Sequence, residues 1–118
     1  MAIKITKPTV NIGERLSIAE GVSLEKFKAI NGFAIKTGNY TAATQDQLIV
    51  NSASAVTITL PSNPAAGNVV FIKNVGAGTV TVARNGSNIN STADDGELIT
   101  DAAATLVYVD GTIGWKEL

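Results

Sequence analysis

The chain contains neither histidine nor cysteine, and much of the chemistry of protein active sites is missing with them. Without an imidazole there is no everyday general base, no common metal ligand and no Ser–His or Cys–His pair. Without a thiol there is no disulfide framework, thiolate nucleophile or thiolate metal site. Carboxylates and amines remain. The densest acidic run, Asp94-Asp95-Gly96-Glu97, lacks the alternating ligand spacing of a calcium loop and reads as a solvated loop. A glycosidase pair needs two carboxylates across a cleft, and a small sheet leaves little room for a deep one. Gly76-Ala77-Gly78 has two glycines of a phosphate loop but not the third. It also lacks the Lys-Ser/Thr ending and a following helical pattern, so a tight turn is the better reading. The aromatic rings Tyr40, Tyr108 and Trp115 are the remaining candidates for ligand contact. Tyr108 and Trp115 are the candidate glycan-stacking pair, set against the plainer reading of two residues packed across neighbouring strands. The expectation is a non-enzyme with no catalytic residues, cofactor or metal.

The elements that would carry these residues are β-strands. The run 54–75, SAVTITLPSNPAAGNVVFIKNV, organises the chain. Val56, Ile58 and Leu60 alternate with Thr57 and Thr59, the period of a strand with one buried face. Pro61 and Pro64 bracket Ser62-Asn63, and Ala65-Ala66-Gly67 completes a turn before a second β-rich run over 69–73. The same pattern of short Thr/Val strands and Gly/Asn turns continues downstream. Strands are expected at 47–50, 79–84, 97–100, 105–109 and 115–118, with a short one at Ile89. VTITLPSNP and VTVARNGSN hint at an internal duplication, although so short a Thr/Val match does not establish one. The expected fold is all-β: a small antiparallel β-sandwich or barrel-like module with an N-terminal extended arm or hairpin.

The N-terminal third is organised differently. Ile3 and Ile5 alternate with Lys4 and Thr6, Pro8 interrupts, and Val10 and Ile12 alternate again before Gly13. Proline is confined to strand edges and extended segments, so an arm lying along a neighbouring subunit or an edge hairpin both fit, with the arm preferred. Residues 23–37 admit a helix capped by Ser23, or a hairpin turning at Asn31-Gly32 between 26–30 and 33–37. The hairpin is preferred, because Asn-Gly between alternating apolar residues is a strong turn signal and nine residues make a short helix. The expected division is an attachment segment over 1–37 and a β-module over 38–118.

At 118 residues and a formal charge of −1, the chain is one domain with an appended arm, and its charge makes no case for nucleic acid or an anionic membrane. The charge is uneven. Residues 1–59 hold six basic against four acidic side chains, and residues 60–118 hold three against six. No continuous apolar run is long enough for a signal-peptide core or a membrane span, so a soluble protein made inside the cell without export is expected. Six aromatic residues among many Ala, Val and Thr, with a mean hydropathy of +0.21, imply a core of small side chains. Each buries little area, so part of the apolar surface is expected to be buried between subunits, a tightly packed single sandwich being the alternative.

About two-thirds of the chain resembles a β-module common in virion proteins of tailed bacteriophages, found in tail fibres, spikes and head-attached decoration or fibre proteins. The matching pieces are NYTAATQDQLIV, AVTITLPSNPAAGNVVFIKNVGAGTVTV, GSNIN and ATLVYVDGTIGWKEL. The ending Tyr108-Val109-Asp110-Gly111-Thr112-Ile113-Gly114-Trp115 is one residue longer on each side of Asp-Gly than the family pattern. The resemblance implies a structural role, commonly as a homotrimer, and transfers no catalytic residue. A single module beginning at Met1 suits a head decoration (cement) or short head-fibre protein located in the virion, partnered by copies of itself and by the major capsid protein or another virion protein. The alternative is a tail-fibre or spike component that binds a host receptor or surface glycan. In the first reading Ile3, Lys4, Ile5, Lys7, Val10 and Ile12 form the capsid contact, adding a strand to a sheet edge while the lysines meet acidic surface.

Overall fold

The chain divides into two units, Met1–Asn31 and Gly32–Leu118, and the computed structural model describes residues 32–118. Among these residues all regular structure is strand: β1 (Ala34–Lys36), β2 (Tyr40–Thr41), β3 (Gln47–Val50), β4 (Val56–Thr59), β5 (Val69–Asn74), β6 (Val80–Ala83), β7 (Gly96–Leu98), β8 (Ala103–Asp110) and β9 (Gly114–Glu117). They form a five-stranded sheet in the order β1-β3-β5-β8-β9 and a four-stranded sheet in the order β2-β4-β6-β7. The all-β expectation stands.

The strand pairing departs from an antiparallel sandwich. β1, β3 and β5 run parallel, as do β2, β4 and β6. Antiparallel pairing begins only where the chain turns back, at β6–β7, β5–β8 and β8–β9. The chain therefore alternates between sheets, laying one strand in each per coil. From β1 to β6 each turn leads to the opposite sheet, and the turn at Asp110-Gly111 makes a hairpin of β8 and β9.

The second and third coils superpose at a constant step. Gln47 pairs with Phe71 and Leu48 with Ile72 in one sheet; Val56 pairs with Val80 and Thr57 with Thr81 in the other. Every one of these partners is 24 residues away, so VTITLPSNP and VTVARNGSN are equivalent segments of successive coils. Stacking reaches the connecting turns as well. Gly76 lies on Ser52 and Gly78 on Ser54 so closely that a Cβ on either glycine would run into the serine backbone. The Gly78 N–H donates to the Ser52 carbonyl at 2.9 Å. Gly76-Ala77-Gly78 is thus a stacked turn, its glycines required by close approach of two backbones.

Alternation fixes which side chains fill the space between the sheets. Leu48, Val50, Val70, Ile72 and Leu106 enter from one sheet, and Val56, Ile58, Val80 and Val82 from the other, all buried, as are Leu60 and Trp115. Each such side chain contributes about 1.5–3 kcal/mol on burial. Asn74 is the buried polar exception. Its Nδ2 donates to the carbonyls of Gly78 and Leu98, both at 2.9 Å, and its Oδ1 accepts from the Gly76 N–H at 3.0 Å. A fully satisfied amide holds the stacked turn against β7 where Val50, its equivalent one coil earlier, is purely apolar.

β1 falls within the span 1–37 and forms the edge of the five-stranded sheet. Of the hairpin expected at 23–37, residues 26–30 lie outside the described residues, and β1 itself pairs in parallel with β3.

Candidate functional site

The acidic run serves the loop that carries it. Asp95 Oδ1 accepts from the Arg84 N–H at 2.9 Å, and Glu97 lies beside Thr81 in the β6–β7 pair. No group of three potential metal ligands forms among the described residues.

Trp115 is fully buried and offers no face to a ligand, which removes it from the candidate glycan pair. β8 and β9 place it opposite Tyr108, and the rings meet edge to face at 5.5 Å and 70°. Its backbone is fixed as well: the Trp115 N–H donates to Asn88 O at 2.8 Å, and its carbonyl accepts from the Asn90 N–H at 2.7 Å. The indole N–H has no hydrogen-bond partner among the described residues. Tyr108 is half-buried and borders a cleft of about 420 Å³ formed with Ser62, Asn63 and Pro64 of one loop and residues 85–87 of the next. The plainer reading of the two rings, packing across neighbouring strands, is the one this contact matches, and of the pair Tyr108 alone borders the cleft. Tyr40 lies in β2, beside Ile58 of β4. Its hydroxyl donates to Asp46 Oδ2 at 3.1 Å, and Lys36 Nζ lies 3.8 Å from its ring centre. Burial, then the charge and hydrogen bond of Asp46, raise its pKa above 10.0.

The larger feature is the outer surface of the five-stranded sheet. The residues that alternate with the core side chains lie in rows across the strands. Gln47, Phe71 and Thr105 make one row, and Ile35, Ile49, Lys73 and Ala103 the next. Val69, Val107 and Lys116 form a third. Phe33 joins the first row at one end through an edge-to-face contact with Phe71 at 5.7 Å. Leu118 joins it at the other, its N–H donating to Thr105 O at 2.9 Å. Phe33, Ile35 and Leu118 are 51%, 59% and 78% exposed, so they contribute nothing to the core. The charges in these rows are Lys73 and Lys116, and Lys73 Nζ already donates to the Asp101 carbonyl at 2.7 Å.

The opposite outer surface is different in kind. On the four-stranded sheet the corresponding residues are Thr41, Thr57, Thr59, Thr81, Ala83 and Glu97, a surface suited to water. One face of the sandwich is thus apolar and the other hydroxylated, and exposed apolar surface of this kind is a mark of protein contact. Sequence reasoning expected apolar surface outside the core from composition but did not place it, because the sheet neighbours were not known. The arm residues Ile3, Lys4, Ile5, Lys7, Val10 and Ile12 lie outside the described residues.

No protein-family model and no curated protein matches this chain.

Proposed function

We propose that this chain is a virion structural protein, a capsid decoration (cement) or short head-fibre protein of a tailed bacteriophage that binds and stabilises the outer capsid as an oligomer. The observation that carries the reading is the apolar outer face of the five-stranded sheet, opposite a threonine-lined one. A protein that works by being packed against copies of itself needs one greasy face and one wetted face. The virion assignment rests on the resemblance of residues 38–118 to the phage β-module, and a homotrimer is the assembly that resemblance favours. In this arrangement residues 1–37 reach the capsid, with Ile3, Lys4, Ile5, Lys7, Val10 and Ile12 as the contact.

Solution mass and capsid co-sedimentation test it together. The full chain is expected to run as an oligomer, to pellet with capsids and to raise their melting temperature through ordinary linkage. Deleting residues 1–12 is expected to abolish pelleting and leave the oligomer intact. A monomer with no affinity for capsids would refute the proposal. A tail-fibre or spike component remains the second reading, favoured by the cleft at Tyr108.

A further inference from the structure

The cleft beside Tyr108 is built from the loops that follow β4 and β6, which the 24-residue step places one above the other, so that Ser62 and Asn63 lie beside residues 86 and 87. Its framework is held by backbone and amide hydrogen bonds. Asn63 and Asn85 occupy the left-handed region at φ 48° and 50°, where asparagine is well tolerated. Asn85 Nδ2 donates to Leu60 O at 2.9 Å, and Asn68 Oδ1 accepts from the Ala65 N–H at 2.8 Å. Two bonds tie this loop to the strand that carries the ring: Gly67 N–H to Tyr108 O and Tyr108 N–H to Asn68 O, both 2.9 Å. The Arg84 guanidinium is engaged with the Ser87 carbonyl at 3.2 Å.

Against that fixed frame, the Ser62 and Ser87 hydroxyls, the Asn63 amide and the Tyr108 hydroxyl make no hydrogen bond among the described residues. No Lys, Arg, Asp or Glu lines the cleft, so a cation would find no counter-charge, and the Arg84 guanidinium beside it is turned onto the Ser87 carbonyl. Beyond Tyr108 and Pro64 its lining is polar, so a purely apolar ligand would gain little. What suits unpaired hydroxyls and an amide around one aromatic ring is a neutral molecule rich in hydroxyl groups with an apolar C–H face. The volume of about 420 Å³ lies in the lower part of the range for small-molecule sites, roughly 300–1,000 Å³.

We propose that this cleft binds a neutral sugar ring, packed against Tyr108 and hydrogen-bonded by Ser62, Asn63 and Ser87. The inference deepens the second reading, a fibre or spike component that binds a glycan, and is independent of the capsid reading, since it concerns the cleft between two loops and neither outer face.

The test is a titration of the ¹⁵N-labelled full chain with D-glucose, D-galactose and N-acetyl-D-glucosamine, with glycerol as the control. Saturable amide shifts at Ser62, Asn63, Ser87 and Tyr108 are expected with at least one sugar at millimolar concentration, and none with glycerol. Asn63→Gly removes the amide yet keeps a residue at ease with positive φ, and it is expected to weaken binding about tenfold. Tyr108→Ala is expected to abolish binding; should it disturb Trp115 and the fold, Asn63→Gly and Ser87→Ala decide the matter. No saturable shift with any of the three sugars, or binding unchanged in both of those variants, would overturn the proposal.

Discussion

The side-chain oxygen of Asn74 accepts a hydrogen bond from the Gly76 N–H at 3.0 Å, inside a core otherwise made of aliphatic groups and one indole. Replacing Asn74 with Val, the residue its position carries one coil earlier, would leave the Gly76 N–H and the Leu98 carbonyl without their partner. The expected cost is roughly 2–6 kcal/mol, the sum for two buried groups left unpaired. Thermal unfolding followed by circular dichroism should register a fall of more than about 8 °C for a unit of this size. A variant as stable as the parent would show that the amide is dispensable.

Gly78→Ala is expected to be severely destabilising, by about 3 kcal/mol or more, because the added methyl would occupy the Ser54 backbone. Gly38→Ala is the matched control. Nothing lies within 4 Å of its hypothetical Cβ, and the change should stay within about 0.5 kcal/mol. Chemical denaturation of both variants provides the comparison. Equal effects would contradict the stacked turn.

Tyr40 should lose its proton above the ordinary tyrosine value of 10.0, since burial and Asp46 both disfavour the phenolate. A group whose pKa is higher folded than unfolded supports the fold below the unfolded value and withdraws that support as pH rises through the folded one. Stability should therefore decline in alkali beginning near pH 10. Asp46→Asn should bring the Tyr40 titration part of the way down, burial being the larger cause. Carbon-13 NMR of the labelled ring would follow it directly. A titration unmoved by Asp46→Asn would argue against the electrostatic contribution.

Ile35→Lys combined with Phe71→Lys places two charges on the apolar outer face without touching the buried set. The pair should turn the proposed oligomer into monomer while circular dichroism stays β-rich. Thr59→Lys on the other sheet should leave assembly unchanged. Analytical ultracentrifugation distinguishes the two faces, and an oligomer that survives the double change would place the subunit interface elsewhere.

The strands themselves were legible because alternation of Val56, Ile58 and Leu60 with Thr57 and Thr59 reports directly on burial. Their partners were not. Alternation says which face of a strand is dry but not which strand lies beside it, and Asn/Gly turns serve a crossover as readily as a hairpin. The usable signal was the repeat: the likeness of VTITLPSNP to VTVARNGSN, taken at its 24-residue spacing, specifies a parallel ladder. Cross-strand packing of Tyr108 and Trp115 was legible from their place around the last turn, but the complete burial of the indole was not. Ser62, Asn63 and Ser87 were read only as turn formers, since nothing in their order along the chain announces that two loops meet.

The common step between β3 and β5 and between β4 and β6 makes height a quantised property of this architecture. A further 24 residues inserted in phase would raise both walls by a single storey of about 4.8 Å, with the greasy and hydroxylated sides continuing upward unbroken. Reach and surface character are thereby decoupled, and a lineage could lengthen or shorten such a protein without redesigning what either side touches.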